Sequence, residues 1–200
     1  MSRETGPSGN PYFAIGDRVA LGTLTSGMLP LCERWFNDLR VARTLGVNWH
    51  PITNSITRRH IDEMLASTNS TFTVYELDTM QPVGITRLED INFEHGTAEF
   101  SIVIGEPSVW GNGLGSEATG LTLSYAFDVL GLYNVWLQVS ANNPAAVRAY
   151  EKAGFKTIGV RRRSVRIGRE LFDDVYMDAI ADDFEKSTQN RVLHPPEESR

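Results

Sequence analysis

Apolar positions along the chain change their period several times, and each change marks an element. Residues 18–24 alternate closely enough for a strand, after which Leu29, Leu31, Trp35 and Phe36 fall at helical spacing with Ser26 placed to cap them. A connection over 45–54, rich in turn formers, leads to a second helix carrying Ile56, Ile61, Met64 and Leu65, with Ser55 as its cap. Three β-rich runs follow at 71–77, 83–91 and 98–104, the first two separated by a turn at 78–82, and together they predict an antiparallel meander. Ala118, Leu121, Tyr125 and Val129 share one face of a helix over 115–130. A strand at 135–139, a short helix at 143–152 and a closing hairpin of 158–165 with 171–177 around Gly168 complete the pattern.

The order βααβββαβαββ predicts an α/β chain with a central mixed, mostly antiparallel sheet and helices on both faces. The strand–helix–strand crossover from 104 to 135 requires at least one parallel pair. One domain over 13–180 is expected. Residues 1–12 and the tail 181–200, with Pro195, Pro196 and little apolar content, read as mobile ends.

Composition narrows the function classes. At 200 residues and 41% hydrophobic content the chain can bury a core. A formal charge of −6 argues against nucleic acid as a partner and mildly favours cationic ones. Cys32 is the single cysteine, so no intramolecular disulfide or cysteine metal cluster forms, which suits the cytoplasm. No run approaches the ~20 apolar residues of a membrane span, and the first residues lack the apolar region of a signal peptide. His50, His60, His95 and His194 have no metal-ligand spacing, so no metal is expected.

The most informative stretch is the β-branched run at 101–104 that ends in Gly111, Gly113 and Gly115 and opens directly into a helix. Alternate glycines let the backbone bend sharply and approach a ligand. The unpaired amides of the first helical turn then face that ligand with the positive end of the helix dipole behind them. A phosphate-bearing cofactor fits that geometry. No Gly-Lys-Ser/Thr follows, as a P-loop needs, and the third glycine of a dinucleotide fingerprint is missing.

Asn143, Ala146, Tyr150, Gly154 and Phe155 follow one helix and one strand later, and this segment resembles the N-x-x-A-x-x-x-Y-x-x-x-G-F signature of the GNAT superfamily of acetyl-CoA-dependent N-acetyltransferases. The glycine loop resembles the pyrophosphate loop of the same family. The layout is similar to the branch with ribosomal-protein N-terminal and spermidine acetyltransferases. One departure is Trp110, which stands where many members carry Arg or Gln, so amides and dipole must hold pyrophosphate more than that side chain does.

The resemblance implies a sheet with a V-shaped splay between the strand ending at Ile104 and the strand at 135–139. The pantetheine arm would enter there, and unpaired backbone groups would receive its amides as they would an added strand. It implies acetyl-CoA as co-substrate, held by the backbone of Ile102, Val103 and Ile104, by the loop Gly111, Asn112, Gly113, Leu114, Gly115 and Ser116, and by Asn143, whose simpler role is a helix N-cap. Val103 or Ile104 could also supply an oxyanion donor. Tyr150 matches the tyrosine that protonates the departing sulfur. Glu99 matches an acidic position that receives the amine proton, although alternation with Ala98, Phe100 and Ile102 equally predicts a plain surface-face glutamate.

Asp90, Asn92 and Glu94 are candidates for binding a cationic substrate, and His50, with Asn48 and Trp49, lies in the connection expected to cover the acceptor side. Arg161, Arg162, Arg163, Arg166 and Arg169 form either a solvated face or a docking patch for an acidic partner. Three functions compete: acetyl transfer to a primary amine of a small molecule (polyamine, antibiotic or metabolite), acetyl transfer to a peptide N-terminus, and non-catalytic acyl-CoA-binding regulation. A homodimer is compatible with each.

Overall fold

The computed structural model describes residues 12–45 and 50–184. Eight strands form one sheet in the spatial order β1-β2-β3-β4-β5-β6-β8-β7. They are β1 (Tyr12–Ile15), β2 (Val19–Thr23), β3 (Ser70–Glu76), β4 (Gln81–Asn92), β5 (Thr97–Ile104), β6 (Asn134–Ser140), β7 (Lys156–Ile167) and β8 (Glu170–Ile180). Every neighbouring pair is antiparallel except β5–β6, which the crossover through helix α4 (Leu114–Ser124) makes parallel. The mixed sheet and the closing hairpin agree with the sequence pattern.

Helices cover both faces. On the front, α1 (Leu29–Phe36), α2 (Leu39–Leu45) and α3 (Asn54–Ala66) overlie the sheet, with Met28, Cys32, Trp35 and Ile61 packed on Ile85 and Val103. On the back, α4 and α5 (Pro144–Ala153) cover two continuous clusters, one around Leu88, Phe100, Leu137 and Met177, the other around Val19, Phe72 and Leu121. Strand alternation does this sorting: Ala98 and Phe100 face back, while Glu99 and Val103 face front.

Several expectations need correction. The connection after α1 holds a further helix, α2, whose short apolar stripe is only Val41 and Ala42. Neither Ser26 nor Ser55 caps a helix by its side chain: Ser26 opens a tight turn, and Ser55 lies inside α3, where its Oγ pairs with Thr53 Oγ1 at 3.0 Å. Helix α4 stops at Ser124 and passes into a wider turn in which Leu130 N–H bonds Tyr125 C=O, so the helical register shifts and Val129 is 41% exposed. The sheet also begins earlier than expected, at Tyr12. A short α6 (Ala181–Phe184) continues β8 and buries Phe184 to 4% exposure, so this part of the tail is anchored. The remaining expected mobile ends, like Asn48 and Trp49, lie outside the described residues.

The front layer is pinned to the end of β5. Trp35 is 1% exposed, its indole N–H donates to Glu106 Oε1 at 2.8 Å, and Arg34 pairs with the same carboxylate. A side chain on Gly105 would run into the indole, its Cβ falling 2.1 Å from Trp35. Trp35→Ala therefore opens a cavity beneath α1 and orphans part of Glu106, and we expect it to cost about 3–5 kcal/mol of stability. Chemical denaturation at an unchanged m-value checks this.

Candidate active site

The site begins where β5 and β6 part. Their parallel ladder contains only Thr97↔Asn134, Ala98↔Val135 and Glu99↔Trp136, after which β5 runs on to Ile104 and β6 to Ser140 without pairing each other. Each keeps its outer partner, β4 or β8, so only the inner edges of the V lack strand partners. Ile102, Val103 and Ile104 lie on one arm, half-buried, with Ile102 and Ile104 anchored in the back clusters and Val103 in the front one.

Behind the apex, Phe100 meets Tyr150 edge-on with ring centroids 6.0 Å apart, and Phe155 closes the trio at 5.7 Å from Phe100 and 5.9 Å from Tyr150. Tyr150 is carried there by α5, which Gly154 ends in the left-handed conformation at φ 111°. Among the described residues its hydroxyl makes no hydrogen bond, and burial pushes its pKa up to about 12. It is a protonated phenol at neutral pH. Asn143 starts the same helix as an N-cap, its Oδ1 accepting from Ala146 N–H at 3.1 Å, while its Nδ2 lies 3.4 Å from Thr44 C=O. Asn142 Nδ2 likewise donates to Arg43 C=O at 3.2 Å, so both asparagines tie the end of α2 to the rim of the V.

In front of the apex, Glu99 faces Glu89 across the β4–β5 ladder and Trp136 across β5–β6. Burial raises its pKa, the nearby Glu89 and Asp90 charges raise it further, and a hydrogen bond from Gln138 partly offsets both. Glu89 is held by Arg87 Nη2 at 2.8 Å and by Ser101 Oγ at 2.8 Å. Asp90 sits in a bulge at φ 49°, which reverses the local alternation and brings its charge to bear on Glu99. Trp136 and Tyr176 stack nearly parallel, 6.5 Å apart and 12° inclined, extending an aromatic wall from Glu99 across β8.

The glycine loop lies at the far end of β5. Gly111 and Gly113 both adopt φ 81°, and Gly113 occupies the N-cap position of α4. Leu114 is buried beneath the loop, Ser116 donates to Ala149 C=O at 3.0 Å, and Gly115 packs near Ile104. Open space lies around Gly111. Trp110 turns away, its indole N–H bonding Ile104 C=O at 2.8 Å.

The structure therefore brings Asp90 to Glu99 in front of the sheet and Tyr150 to Phe100 behind it, with the arm 102–104 running on from both. Asn92 and Glu94 instead belong to the β4–β5 turn, where Asn92 Oδ1 accepts His95 N–H at 2.9 Å and Glu94 is exposed. His50 is exposed ahead of α3. The five hairpin arginines are exposed on β7 and its turn. Sequence reasoning missed Glu89, Trp136 and Tyr176. For Glu89 the signal was available, since antiparallel registration of the meander places a β4 acid opposite Glu99. No group of His, Cys, Asp and Glu able to hold a metal ion occurs among the described residues, and no described helix is long and apolar enough to cross a membrane.

A splayed parallel pair, a left-handed glycine loop at a helix start and a tyrosine behind the apex belong to a GNAT-like mixed α/β fold. The chain matches the acetyltransferase (GNAT) domain family over residues 18–156 and belongs to it. It is 39% identical over 79 residues to spermidine N(1)-acetyltransferase of Escherichia coli K12, a match covering 40% of this chain and 42% of that protein. To an uncharacterized N-acetyltransferase p20 of Bacillus licheniformis it is 25% identical over 152 residues, 74% of this chain and 83% of the relative. The chain thus aligns with less than half the length of the spermidine enzyme. Among solved structures, the fold is similar to Vibrio cholerae spermidine N-acetyltransferase in complex with CoA and spermine, with TM-score 0.77, 23% identity, and coverage of 85% of this chain and 99% of that one.

The raised pKa of Glu99 has a stability consequence. Its folded carboxyl holds a proton to higher pH than the unfolded chain does. Glu99 therefore favours the fold in acid, and that contribution is lost as pH rises through the ordinary glutamate value into the folded one. Carboxyl-detected NMR is expected to place the Glu99 midpoint above the ordinary range and to show it falling in Glu89→Gln. Glu99→Gln should flatten the stability curve in the same window.

Proposed function

We propose that the protein transfers acetyl from acetyl-CoA to a primary amine of a cationic small molecule, with polyamines as the first class to test. The carrying observation is the acidic, aromatic front of the V. Glu99 stands beside Trp136 of the Trp136–Tyr176 wall, with Asp90 and the Arg87-paired Glu89 close to it, a combination that attracts ammonium groups by charge and by the ring faces. The spermidine acetyltransferase similarity over 79 residues supports the same reading.

Acetyl-CoA supplies the activated thioester. The residues fit such a molecule: the inner edge of 102–104 can pair an extended amide-bearing arm, and the amides of Gly113, Gly115 and Ser116 can meet its pyrophosphate with no Cβ in the way at Gly111. Asn143 would contribute its amide at the rim. Glu99 takes the proton of the incoming ammonium, directly or through water, freeing the nitrogen lone pair for attack on the acetyl carbon. The Ile104 amide, on the unpaired edge of β5, holds the negative charge that gathers on the carbonyl oxygen, whereas the backbone of Val103 is turned to β4. As the carbon–sulfur bond breaks, the nitrogen gives its second proton to solvent, Tyr150 gives its hydroxyl proton to the departing sulfur, and solvent restores the phenol. The raised pKa of Glu99 moves the base nearer to neutrality, while that of Tyr150 keeps the acid loaded. No protein residue becomes acylated.

Spermidine, spermine, aminoglycosides, neutral amines and N-terminal peptides assayed with acetyl-CoA, by thiol release and product mass, test the reading. Polyamines are expected to turn over best and neutral amines poorly. Acetylation of peptides alone would replace it with the protein-substrate reading, and tight binding without release would favour a regulator. Tyr150→Phe is expected to lower kcat by roughly 10²–10⁴-fold while leaving acetyl-CoA affinity nearly unchanged.

A further inference from the structure

We infer that Arg18, at the start of β2, supplies the cation that contacts the coenzyme pyrophosphate, in place of the basic side chain absent at Trp110. The inference rests on the acetyl-CoA reading and assigns one of its binding contacts. Arg18 lies far from the glycine loop in sequence, yet its guanidinium sits on it. Its Nη1 donates to Asn112 C=O, its Nε pairs with Glu117 Oε2 at 3.1 Å, and its Nη2 lies 2.8 Å from where a Cβ on Gly113 would stand. The Nη2 hydrogens have no partner among the described residues, and half of the side chain remains exposed.

The fork is held rigidly. Glu117 accepts the backbone N–H of Asp17 at 2.5 Å and of Arg18 at 2.8 Å through Oε1, and the Arg18 Nε–H through Oε2. Gly16 leaves room for this carboxylate, which a Cβ would meet at 2.3 Å. The charge of Glu117 is thus spent on donors within the fold. Arg18 shares a cleft of about 150 Å³ with Asp17, Gly113, Ser116, Glu117 and Lys152, so a second cation lines it together with two carboxylates, of which Glu117 is bonded to Arg18 itself. Trp110, by contrast, is bonded back to β5 and offers the loop no charge. A planar guanidinium held through Nε and Nη1, with Nη2 open beside a left-handed glycine, suits donation from Nη2 to a phosphate oxygen.

Titration calorimetry of CoA and dephospho-CoA against the full chain, Arg18→Ala and Arg18→Lys tests this, with each variant's ligand-free melting curve confirming its fold. Arg18→Ala is expected to weaken both ligands by about tenfold or more and to make affinity less sensitive to salt. Arg18→Lys should recover much of the salt dependence. Unchanged affinity in Arg18→Ala overturns the inference. So does a loss confined to CoA, which would place the contact at the 3′-phosphate, or a loss with unchanged salt dependence, which would make Arg18 only an anchor of the loop. Failure of the unmodified chain to bind either ligand would overturn the acetyl-CoA reading and this inference with it.

Discussion

The constraint on which the rest depends is the short parallel ladder between β5 and β6. It ends at Glu99↔Trp136, while the strands themselves continue. Backbone groups in a protein interior need partners, and two strand edges left facing each other form an opening that an extended, amide-bearing chain can fill. The outer partners β4 and β8 hold the arms of the V in place, so the opening belongs to the fold.

The same apex separates two chemistries. Alternation along β5 sends Phe100 to the back, against Tyr150 and Phe155, and sends Glu99 to the front, against Glu89 and Trp136. Behind the sheet, burial pushes the pKa of the Tyr150 phenol up to about 12. In front, partial burial and neighbouring carboxylates keep a glutamate more basic than usual. A phenol packed on Phe100 and a glutamate one residue earlier on the same strand thereby stand on opposite faces of the sheet beside one gap.

Much of this was legible in the sequence. The meander, the crossover, the glycine loop and the Asn143–Tyr150–Gly154 spacing each depend on local periodicity or on a few residue types whose backbone demands are strong, and these features appear where expected. What escaped detection either carries too weak a local signal or depends on distant registration. Helix α2 has only Val41 and Ala42 buried, too little for a periodic signal. The turn after Ser124 preserves helical composition while changing the hydrogen-bond period. Asp90 acts on Glu99 through a bulge with positive φ at a non-glycine residue, and Arg18 reaches the glycine loop from 94 residues earlier in the sequence. No local pattern encodes contacts of that kind.

Hydrogen exchange at single-residue resolution, with and without CoA, tests the central claim most directly. If the V is the cofactor cleft, alternate amides within 100–104 and 137–140, those on the inner edges, gain protection on binding, while the paired residues 97–99 and 134–136 change little. Unaltered exchange along both inner edges, under conditions where CoA is shown to be bound, would contradict the account.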